Sequence, residues 1–499
     1  MATALIGFMG AGKSSAARRL SSDPVDTDAL VEARLGRSIA DVFASDGEAA
    51  FRAAEQEVVL EALTAAGSEA VIALGGGAVK SEPVRDALHD HTVVWLDVAP
   101  QAAWQRVSNK PGERPLAQTR EDFFALHAER RDLYESIADV RLPDGADLEA
   151  AQRAWSLLAE APPATRMTWS VTGQYPVYMG RGVLGLPAGP RSGRRFVITD
   201  QNVGEHYLAA ISGAAGVIEI EAGEEHKTLQ TAEIAWRALA EQGATRADHI
   251  VALGGGVVGD LSGFVASCYQ RGIAVVQVPT TVVAMVDSAL GGKTGVDLPS
   301  AKNYVGAYHQ PAAVVIDPTV LATLPPEEHA AGYAEVVKTA LIAGGSLWER
   351  VAAGGPIDDD VIFACACTKL AVVAADERDG GLRQVLNLGH TVGHAIETVT
   401  EYRRFRHGEA IALGLMAALR LSDLDALRTK VGELLRAAGL PITADGIDVD
   451  AVVAATRRDK KRLGELVPFV LVRAPGDVVF GQAVDDEALR AAIAEILTA

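Results

Sequence analysis

The sequence has 499 residues, of which 49% are apolar and 22% are charged. These proportions match soluble globular proteins, so they exclude a disordered, collagen-like or coiled-coil chain, and the length predicts about three domains. Lys and Arg number 46 against 65 Asp and Glu, which gives a net charge of −19. This excess of acid argues against non-specific binding to nucleic acid or to an anionic membrane, so anionic ligands require local basic clusters.

The cysteines and the apolar segments indicate the compartment. Cys268, Cys365 and Cys367 form no CxxC pair, which is typical of small core residues in a reducing environment and argues against disulfides or a thiolate zinc site. Residues 1–12 lack the basic region of a signal peptide. The most apolar window, 274–292, contains glutamine, proline and aspartate, which a membrane-spanning helix tolerates poorly. We therefore expect a soluble cytoplasmic protein.

The first third of the chain has the pattern of an α/β domain. Strand-like apolar runs at 3–8, 70–74 and 92–98 alternate with stretches of helical periodicity, as in a parallel sheet covered by helices. This pattern predicts a domain over 1–160. Residues 161–168, with the sequence APPATRMT, contain a Pro pair and predict a short non-helical linker.

The remainder divides into two further parts. A second alternation of strands and helices predicts another α/β domain over 169–325, with strand-like runs at 195–199, 216–221, 249–253 and 274–278. Helical spacing then dominates and predicts a mostly helical domain over 326–499, with one short strand at 466–473.

A phosphate-binding motif lies near the start of the chain. The string Gly7-Phe8-Met9-Gly10-Ala11-Gly12-Lys13-Ser14 fits GxxxxGK[ST] between a strand-like and a helix-like run. Glycines let backbone N–H groups surround phosphates, the lysine neutralises phosphate oxygens, and the hydroxyl binds Mg²⁺. The motif therefore predicts an ATP site with Mg²⁺ on Ser14, formed by Gly10, Ala11, Gly12, Lys13, Ser14 and Ser15.

Two carboxylates follow this motif in Val-Asp-Thr-Asp. One of Asp26 and Asp28 is suited to hold Mg²⁺ through water and the other to contact a substrate hydroxyl. A solvated helix cap is the structural alternative for the pair.

The polar residues that come next resemble shikimate kinase, across residues 1–160. The resemblance rests on the strings DTDALVEARLGRSIADVFASDGEAAFRAAE, LGGGAV, ERPL and RRDLY, which follow in that family's order. It implies that Asp28, Arg52, Gly76 and Arg130 bind shikimate, because paired arginines suit a carboxylate.

The same resemblance implies the catalytic residues of the kinase. Arg114 corresponds to the arginine of a mobile lid that reaches the transferred phosphate and ATP, and Asp28 and Lys13 would be catalytic. Residues 109–120 suit such a lid. Arg106 is a candidate for stacking on adenine, although its spacing to Arg114 is one residue longer than the family pattern. The alternative to an active kinase is a nucleotide-sensing module, against which the intact motif argues.

A second glycine-rich string, Gly254-Gly-Gly-Val-Val-Gly259, contains GxGxxG after an apolar run. It predicts a dinucleotide site only weakly, because the following strand-like run ends in Pro-Thr-Thr where a standard Rossmann unit places an acidic residue. Asp200 supplies an acidic residue earlier, so a variant arrangement is required. A tight turn without a ligand is the alternative.

Three residues of the carboxyl-terminal part form a candidate metal set. Glu335, His390 and His407 combine one carboxylate with two imidazoles, a catalytic zinc set that leaves a position for substrate. His390 and His394 share a helix face at i, i+4, which also permits a zincin-like pair, although HExxH is absent. Basic residues stand in apolar or glycine-rich strings and indicate an anionic pocket: Lys293, Lys302, Lys338, Lys369 and Arg383.

Residues 167–499 resemble 3-dehydroquinate synthase. Its strings appear in order as EEHKTL, ALGGGVVGD, QRG, VPTTVVAMVDSALGGKTGVD, AKNYVGAYHQP, AEVVKTAL, DERDGGLRQVLNLGHTVGHAIE and RHGEA. The resemblance implies zinc or cobalt on Glu335, His390 and His407. It implies NAD on Asp200, Asn202, Glu224, Lys227, Gly255, Gly256, Asp260, Thr280, Thr281, Lys293 and Lys302. It implies heptulosonate phosphate on Arg271, Asp287, Lys293, Lys302, Asn303, Lys338, Lys369, Arg383, Asn387 and His394.

This second resemblance also implies the chemistry. The metal would polarise a hydroxyl, NAD would accept and return a hydride, phosphate would leave, and the ring would close, with Lys293 and His394 as catalytic residues. It implies a homodimer through the synthase part. It further implies that either Lys460 or Lys461 would complete a phosphate pocket, and Asp379 stands where the family has glutamate.

Two alternatives keep this fold and change the reaction. Sugar-phosphate cyclases that form inosose or valiolone rings resemble this synthase, but the Lys302-Asn303 pair, Arg383 and Asn387 favour a substrate with a carboxylate. A metal-dependent alcohol dehydrogenase is the other alternative, and it would accumulate NADH during turnover.

Overall fold

The computed structural model describes residues 1–108, 119–299, 301–457 and 468–498. They form two compact units, Met1–Tyr178 and Met179–Ala499. The predicted α/β fold class with a helical carboxyl-terminal part is confirmed. Within the described residues, no helix combines the length and the apolar character needed to cross a membrane.

The first unit alternates strands and helices as predicted. Its strands are β1 (Thr3–Ile6), β2 (Val25–Asp26), β3 (Val71–Ala73), β4 (Thr92–Asp97), β5 (Val140–Pro143), β6 (Arg166–Ser170) and β7 (Tyr175–Met179). Its helices are α1 (Lys13–Leu20), α2 (Thr27–Leu35), α3 (Ile39–Ser45), α4 (Gly47–Ala65), α5 (Glu82–Leu88), α6 (Pro100–Ser108), α7 (Arg120–Ile137) and α8 (Leu148–Trp155).

The sheet of this unit has the order β2-β3-β1-β4-β5-β6, and each of these neighbouring pairs is parallel. Both faces of a parallel sheet are covered, which explains why β1 and β3 consist almost entirely of buried apolar residues. The loops after β2, β3 and β1 leave the same edge of the sheet side by side. The residues that follow these three strands are therefore brought together.

The predicted non-helical linker at 161–168 overlaps a strand at its carboxyl-terminal end. Residues 166–168 belong to β6, where Met167 N donates to Asp139 O at 2.8 Å and extends the sheet beyond β5. This pairing satisfies backbone groups that β5 would otherwise expose at an edge. The predicted boundaries at 160 and 168 thus lie inside the first compact unit.

The second unit begins with an α/β part. Its strands are β8 (Arg195–Asp200), β9 (Ala214–Ile220), β10 (His249–Gly254), β11 (Ala274–Pro279), β12 (Lys293–Leu298), β13 (Ala301–Tyr308) and β14 (Ala313–Ile316). The helices between them are α9 (Gln201–Tyr207), α10 (Leu229–Glu241) and α11 (Gly256–Cys268). Five of these strands form a parallel sheet in the order β14-β11-β10-β8-β9, and the core beside it includes Phe196, Ile250 and Phe264. The strands β12 and β13 form a separate antiparallel hairpin.

The rest of this unit is mainly helical. Its helices are α12 (Pro326–Ala343), α13 (Gly345–Ala352), α14 (Asp359–Ala375), α15 (His390–Val399), α16 (His407–Leu421), α17 (Asp425–Ala437), α18 (Val449–Thr456) and α19 (Asp486–Ile496). Its strands are β15 (Ala444–Asp445), β16 (Pro468–Ala474), β17 (Asp477–Ala483) and β18 (Leu497–Thr498). The predicted strand at 466–473 corresponds to β16, but its antiparallel partner β17 was not predicted.

Two glycines let α16 approach its neighbours. A Cβ at Gly408 would overlap the carbonyl oxygen of Ala331 in α12, and a Cβ at Gly414 would overlap that of Gly389 before α15. Helix backbones come this close only where a side chain is absent. The amino-terminal end of α16 is thereby placed beside both α12 and α15.

Candidate functional sites

The phosphate-binding motif forms a tight loop between β1 and α1. Gly10 and Gly12 have φ of 82° and 91°, a left-handed conformation that favours glycine, and a Cβ at Gly10 would lie 2.6 Å from Ala103 O. Lys13 Nζ donates to Gly7 O at 2.8 Å and to Phe8 O at 3.3 Å, so it lies across the loop. Backbone N–H groups at the start of α1 and this ammonium make the loop suitable for phosphate.

The loop after β3 gathers the predicted kinase residues. Gly75 N donates to Thr27 Oγ1 at 2.9 Å, which fastens the loop to the start of α2. A Cβ at Gly75 would lie 2.6 Å from Asp28 Oδ1, and one at Gly76 would lie 3.8 Å from Lys13 Nζ. Asp28, Gly76 and Lys13 are therefore close together, as the shared edge of the sheet requires.

Two arginines approach the same loop from different helices. Arg52 on α4 donates to Glu55 Oε2 at 2.5 Å and to Glu48 Oε1 at 3.2 Å, and its guanidinium occupies the space that a Cβ at Gly77 would need. Arg130 on α7 is 3% exposed and donates to Gly76 O at 3.1 Å. This pair of cations beside Asp28 suits an acidic substrate that carries hydroxyls.

Sequence reasoning missed two residues of this site. Glu55 is buried beside Asp28 and Arg52, and burial raises its pKa despite the arginine. Tyr134 donates to Gly76 O at 2.5 Å, and burial raises its pKa to about 12. Their i+3 and i+4 spacing from Arg52 and Arg130 was the available signal.

The roles predicted for two further arginines are not tested by the described contacts. Arg114 lies outside the described residues. Arg106 pairs with Asp144 at 2.6 Å and donates to Gly10 O at 3.4 Å, so it lies beside the phosphate loop. Its stacking on adenine stays a prediction. Ser14 is half-buried in the first turn of α1, next to Lys13.

Glu335, His390 and His407 converge in the second unit. Their candidate ligand atoms all lie within 4.8 Å of one another. His390 Nε2 and His407 Nε2 lie 3.6 Å and 3.4 Å from Glu335 Oε1. The three residues come from α12, α15 and α16, whose close approach depends on Gly408 and Gly414.

These three residues fit a divalent metal ion. Glu335 is fully buried, and its Oε1, which faces both imidazoles, accepts no hydrogen bond from the described residues. His390 Nδ1 donates to Leu388 O at 3.2 Å, which leaves Nε2 with a lone pair facing Glu335. Burial lowers the pKa of His390 and keeps it neutral, the form that binds metal.

A group of buried cations surrounds this centre. Lys338 pairs with Glu335, and Lys369 pairs with Asp287 and also donates to Asp287 O at 2.6 Å. Burial would raise the pKa of Asp287, but Lys369 and Lys338 outweigh it and lower the pKa to about 2. Arg383 is 1% exposed, donates to Gly291 O at 3.1 Å, and its Nε has no partner among the described residues. Such a cluster suits a phosphorylated acid.

The remaining predicted substrate residues lie on neighbouring elements. Lys293 donates to Asp379 Oδ2 at 2.9 Å, so the aspartate keeps a contact at the position where glutamate was expected. Asn303 N donates to Asp297 Oδ1 at 2.6 Å, and Asn387 Nδ2 donates to Gln384 O at 3.1 Å. Lys460 and Lys461 lie outside the described residues.

Arg271 is separated from these residues by the topology. It precedes β11, whereas α11 begins at the carboxyl end of β10 and runs back to the opposite edge of the sheet. Its predicted substrate contact stays a prediction.

The glycine-rich turn after β10 has the geometry of a cradle for a dinucleotide. A Cβ at Gly255 would lie 2.9 Å from Thr281 Cγ2, and one at Gly256 would lie 3.2 Å from Ser288 Oγ. Thr280 Oγ1 is buried and forms no hydrogen bond with the described residues. A close backbone approach and a hydroxyl without a partner both fit NAD at this turn.

Asp200 and Asn202 follow the neighbouring strand β8. Asp200 Oδ1 accepts from Val203 N at 3.0 Å and caps α9, and Asn202 is exposed in that helix. Because β8 and β10 are parallel neighbours, these side chains lie at the same edge as the glycine-rich turn.

One buried lysine lies among three carboxylates near this edge. Lys227 Nζ is 2.6 Å from Glu224 Oε1, 3.5 Å from Asp260 Oδ2 and 3.8 Å from Asp297 Oδ1. Burial lowers the pKa of Lys227, but Asp260 and Glu224 outweigh it and the pKa is raised. Burial raises the pKa of Asp260 to about 6. Carboxylates in excess of one ammonium suit the hydroxyls of a ribose, and Asp297 was not among the predicted residues.

Comparison with known proteins agrees with this geometry. Residues 9–158 match the family model of shikimate kinase, 217–331 that of the 3-dehydroquinate synthase N-terminal part, and 332–462 that of its C-terminal part.

Two bacterial relatives and one solved structure extend the comparison. The 3-dehydroquinate synthases of Lactiplantibacillus plantarum and Halorhodospira halophila are 44% and 42% identical, over 56% and 66% of this chain and 83% and 99% of their own length. A structure of 2-deoxy-scyllo-inosose synthase with carbaglucose-6-phosphate, NAD⁺ and Co²⁺ aligns with a TM-score of 0.59 at 28% identity, over 67% of this chain and 100% of that one. The protein is thus an enzyme that belongs to the 3-dehydroquinate synthase family and carries an additional shikimate kinase domain at its amino-terminal end.

Proposed function

We propose that the amino-terminal site transfers phosphate from ATP to shikimate and forms shikimate 3-phosphate. The supporting observation is the convergence of the phosphate loop, Asp28, Arg52 and Arg130 around Gly75–Gly77. The two guanidinium groups bind the substrate carboxylate and fix the orientation of its ring. That orientation presents a hydroxyl to Asp28, close to Lys13.

The residues of this site then have separate tasks. Asp28 accepts the proton of the attacking hydroxyl, and Lys13 together with the loop N–H groups stabilises charge on the transferred phosphate. Ser14 would hold the Mg²⁺ that accompanies ATP, and this ion would neutralise phosphate oxygens. Glu55 keeps Arg52 directed at Gly77, because their ion pair fixes the guanidinium.

We propose that the second site converts 3-deoxy-D-arabino-heptulosonate 7-phosphate to 3-dehydroquinate and phosphate. The observation that carries this proposal is the buried set Glu335, His390 and His407 inside a group of lysines and Arg383. When bound, zinc or cobalt supplies a Lewis acid for substrate oxygens and NAD supplies a hydride acceptor that is restored within each turnover.

Basic side chains and a histidine of the second unit bind and orient this substrate. Lys338, Lys369 and Arg383 neutralise its carboxylate and phosphate, while Asp287 holds Lys369 in place. His394 is half exposed beside the metal set, so it can exchange protons with substrate hydroxyls and with solvent. Lys293 is held by Asp379 at the mouth of the same region.

We propose that the sites are distributed over three parts of the chain. Residues 1–160 carry the kinase site, 169–325 carry most of the NAD site, and 326–499 carry the metal ligands. We further propose that the enzyme acts in the cytoplasm as a homodimer through its synthase part.

A substrate comparison tests the synthase assignment. The protein, loaded with Zn²⁺ or Co²⁺ and NAD, is given the heptulosonate phosphate and, separately, a heptulose phosphate without a carboxylate. We expect phosphate release from the first substrate only, with no net accumulation of NADH at 340 nm. Activity on the second substrate alone would assign a cyclase of the inosose or valiolone type, and stoichiometric NADH would assign a dehydrogenase.

ATP-dependent phosphorylation of shikimate tests the other half. We expect ADP formation that depends on shikimate, measured with a coupled assay. ATP binding without shikimate-dependent turnover would assign a nucleotide-sensing module.

A further inference from the structure

Glu397 is a buried carboxylate near the metal set. Neither of the two proposed reactions assigns it a role. It lies on α15 and is 2% exposed. Its Oε1 is 3.4 Å from His407 Nδ1 and 3.6 Å from Lys302 Nζ, and its Oε2 is 4.0 Å from His394 Nε2. Removing an ionised carboxylate from water is unfavourable unless cations or hydrogen-bond donors such as these compensate its charge.

The imidazole of His407 has a defined orientation between two carboxylates. Its Nε2 lies 3.4 Å from Glu335 Oε1 and its Nδ1 lies 3.4 Å from Glu397 Oε1. The nitrogen that faces a metal needs a lone pair, so the hydrogen belongs on Nδ1 and is donated to Glu397. An acceptor on the outer nitrogen fixes the tautomer and increases the donor strength of the ligand.

Lys302 approaches the same oxygen from β13. Its ammonium lies 4.7 Å from the centre of the Tyr402 ring, so it is held between an aromatic face and Glu397. Lys302 belongs to the predicted NAD and substrate contacts, whereas His407 belongs to the metal set. One oxygen atom therefore sets the position of a residue from each group.

We propose that Glu397 is a positioning residue that couples the metal set to Lys302. It orients His407 for the metal and directs the Lys302 ammonium towards the ligand beside it. This inference rests on the proposed metal-dependent synthase, and it adds a residue that touches neither the metal nor the substrate.

The test measures metal affinity and Michaelis constants in the full chain. The variants are Glu397→Gln, which keeps the shape and removes the charge, and Glu397→Asp, which withdraws the carboxylate by one methylene. Zn²⁺ affinity is measured by competition with a chelator, and bound Co²⁺ by its visible absorption spectrum. Glu433→Gln, at an exposed position of α17, is the matched control, and His390→Ala removes a ligand outright.

We expect Glu397→Gln to weaken Zn²⁺ binding by about 10- to 100-fold, less than His390→Ala, while the Co²⁺ spectrum keeps its shape because the ligands are unchanged. The KM for the heptulosonate phosphate rises in the same variant at saturating metal. Lys302→Met raises this KM and leaves metal affinity as in the wild type. Glu397→Asp lies between the wild type and Glu397→Gln in both quantities.

Three results would overturn the inference in distinguishable ways. Wild-type metal affinity in Glu397→Gln, with affinity lost in His390→Ala, would reject the positioning role and leave the synthase assignment standing. A Co²⁺ spectrum changed as strongly as in His390→Ala would make Glu397 a ligand. A wild-type protein that binds neither Zn²⁺ nor Co²⁺ would reject the metal-dependent synthase itself.

Discussion

At the scale of single residues, the proposed role of Arg52 requires an arginine and not a lysine. Its planar guanidinium can pair with a carboxylate at two points while it remains bonded to Glu55. We expect Arg52→Lys to raise the KM for shikimate by about 10- to 100-fold, the size of one lost charged hydrogen bond. The KM for ATP should stay near the wild-type value.

Steady-state kinetics with each substrate varied in turn measure this split. Arg37→Lys is the matched control, because Arg37 lies on the surface and bonds to Ser45 and Asp46. Equal changes in both Michaelis constants would show that Arg52 supports the fold of the site and not shikimate binding.

Asp248 gives a prediction about pH and stability. Hydrogen bonds from the Arg194 side chain, the Arg194 backbone and Thr245 lower its pKa in the folded protein. A group with a lowered pKa stabilises the fold above its unfolded pKa of about 3.9 and loses this contribution as the pH falls through the folded value.

We therefore expect Asp248→Asn to lower the free energy of unfolding by about 1–3 kcal/mol at pH 7, with a smaller difference below pH of about 3.9. Urea unfolding of both proteins followed by circular dichroism across this pH range measures it. A difference that is constant or grows towards acid would contradict the assigned direction of the pKa.

At the scale of elements, the metal set depends on how closely α16 packs against α12 and α15. Gly414 faces the carbonyl oxygen of Gly389 with no room for a Cβ. We expect Gly414→Ala to destabilise the second unit by about 1–3 kcal/mol through overpacking and to weaken metal binding, because His390 and His407 move apart. Shikimate kinase activity should be retained.

Thermal unfolding and chelator competition measure these two effects. Gly355→Ala provides the control, since a Cβ there makes only an ordinary contact, 4.0 Å from Arg350 O. Unchanged metal affinity in a destabilised Gly414→Ala protein would contradict this prediction. It would show that the positions of the metal ligands do not depend on the close packing of α16.

Local and long-range elements differed in how well the sequence predicted them. The phosphate loop is contiguous and its glycines are required by the backbone itself, so strand, turn and helix were all predictable. The linker prediction extends into residues 166–168 because the Pro pair before them breaks local patterns, whereas the pairing of β6 with β5 is a long-range interaction. The strand β17 pairs locally with β16 across a tight turn at 475–476, but its polar and glycine residues interrupt the apolar alternation, so it was not predicted.

The candidate sites show a similar division. Glu335, His390 and His407 were predictable as a candidate ligand set because their residue types are chemically distinctive, although they lie up to 72 positions apart in the sequence. Glu397, Asp297 and Glu55 were missed because a single buried glutamate or aspartate has no local signature. Only the fold shows which cations surround it.

At the scale of the whole molecule, the net charge of −19 contrasts with the two sites. Each candidate site contains several arginines or lysines, so the acidic excess belongs to the rest of the chain. The sites also lie in separate compact units. The central claim is that one chain carries two independent active sites.

The most direct test of this claim measures both activities in Lys13→Ala and in His390→Ala. We expect Lys13→Ala to abolish ATP-dependent phosphorylation of shikimate and to retain phosphate release from the heptulosonate phosphate, and His390→Ala to do the reverse. Both proteins must show the circular dichroism of the wild type. If either substitution removed both activities in a folded protein, two independent sites would be contradicted.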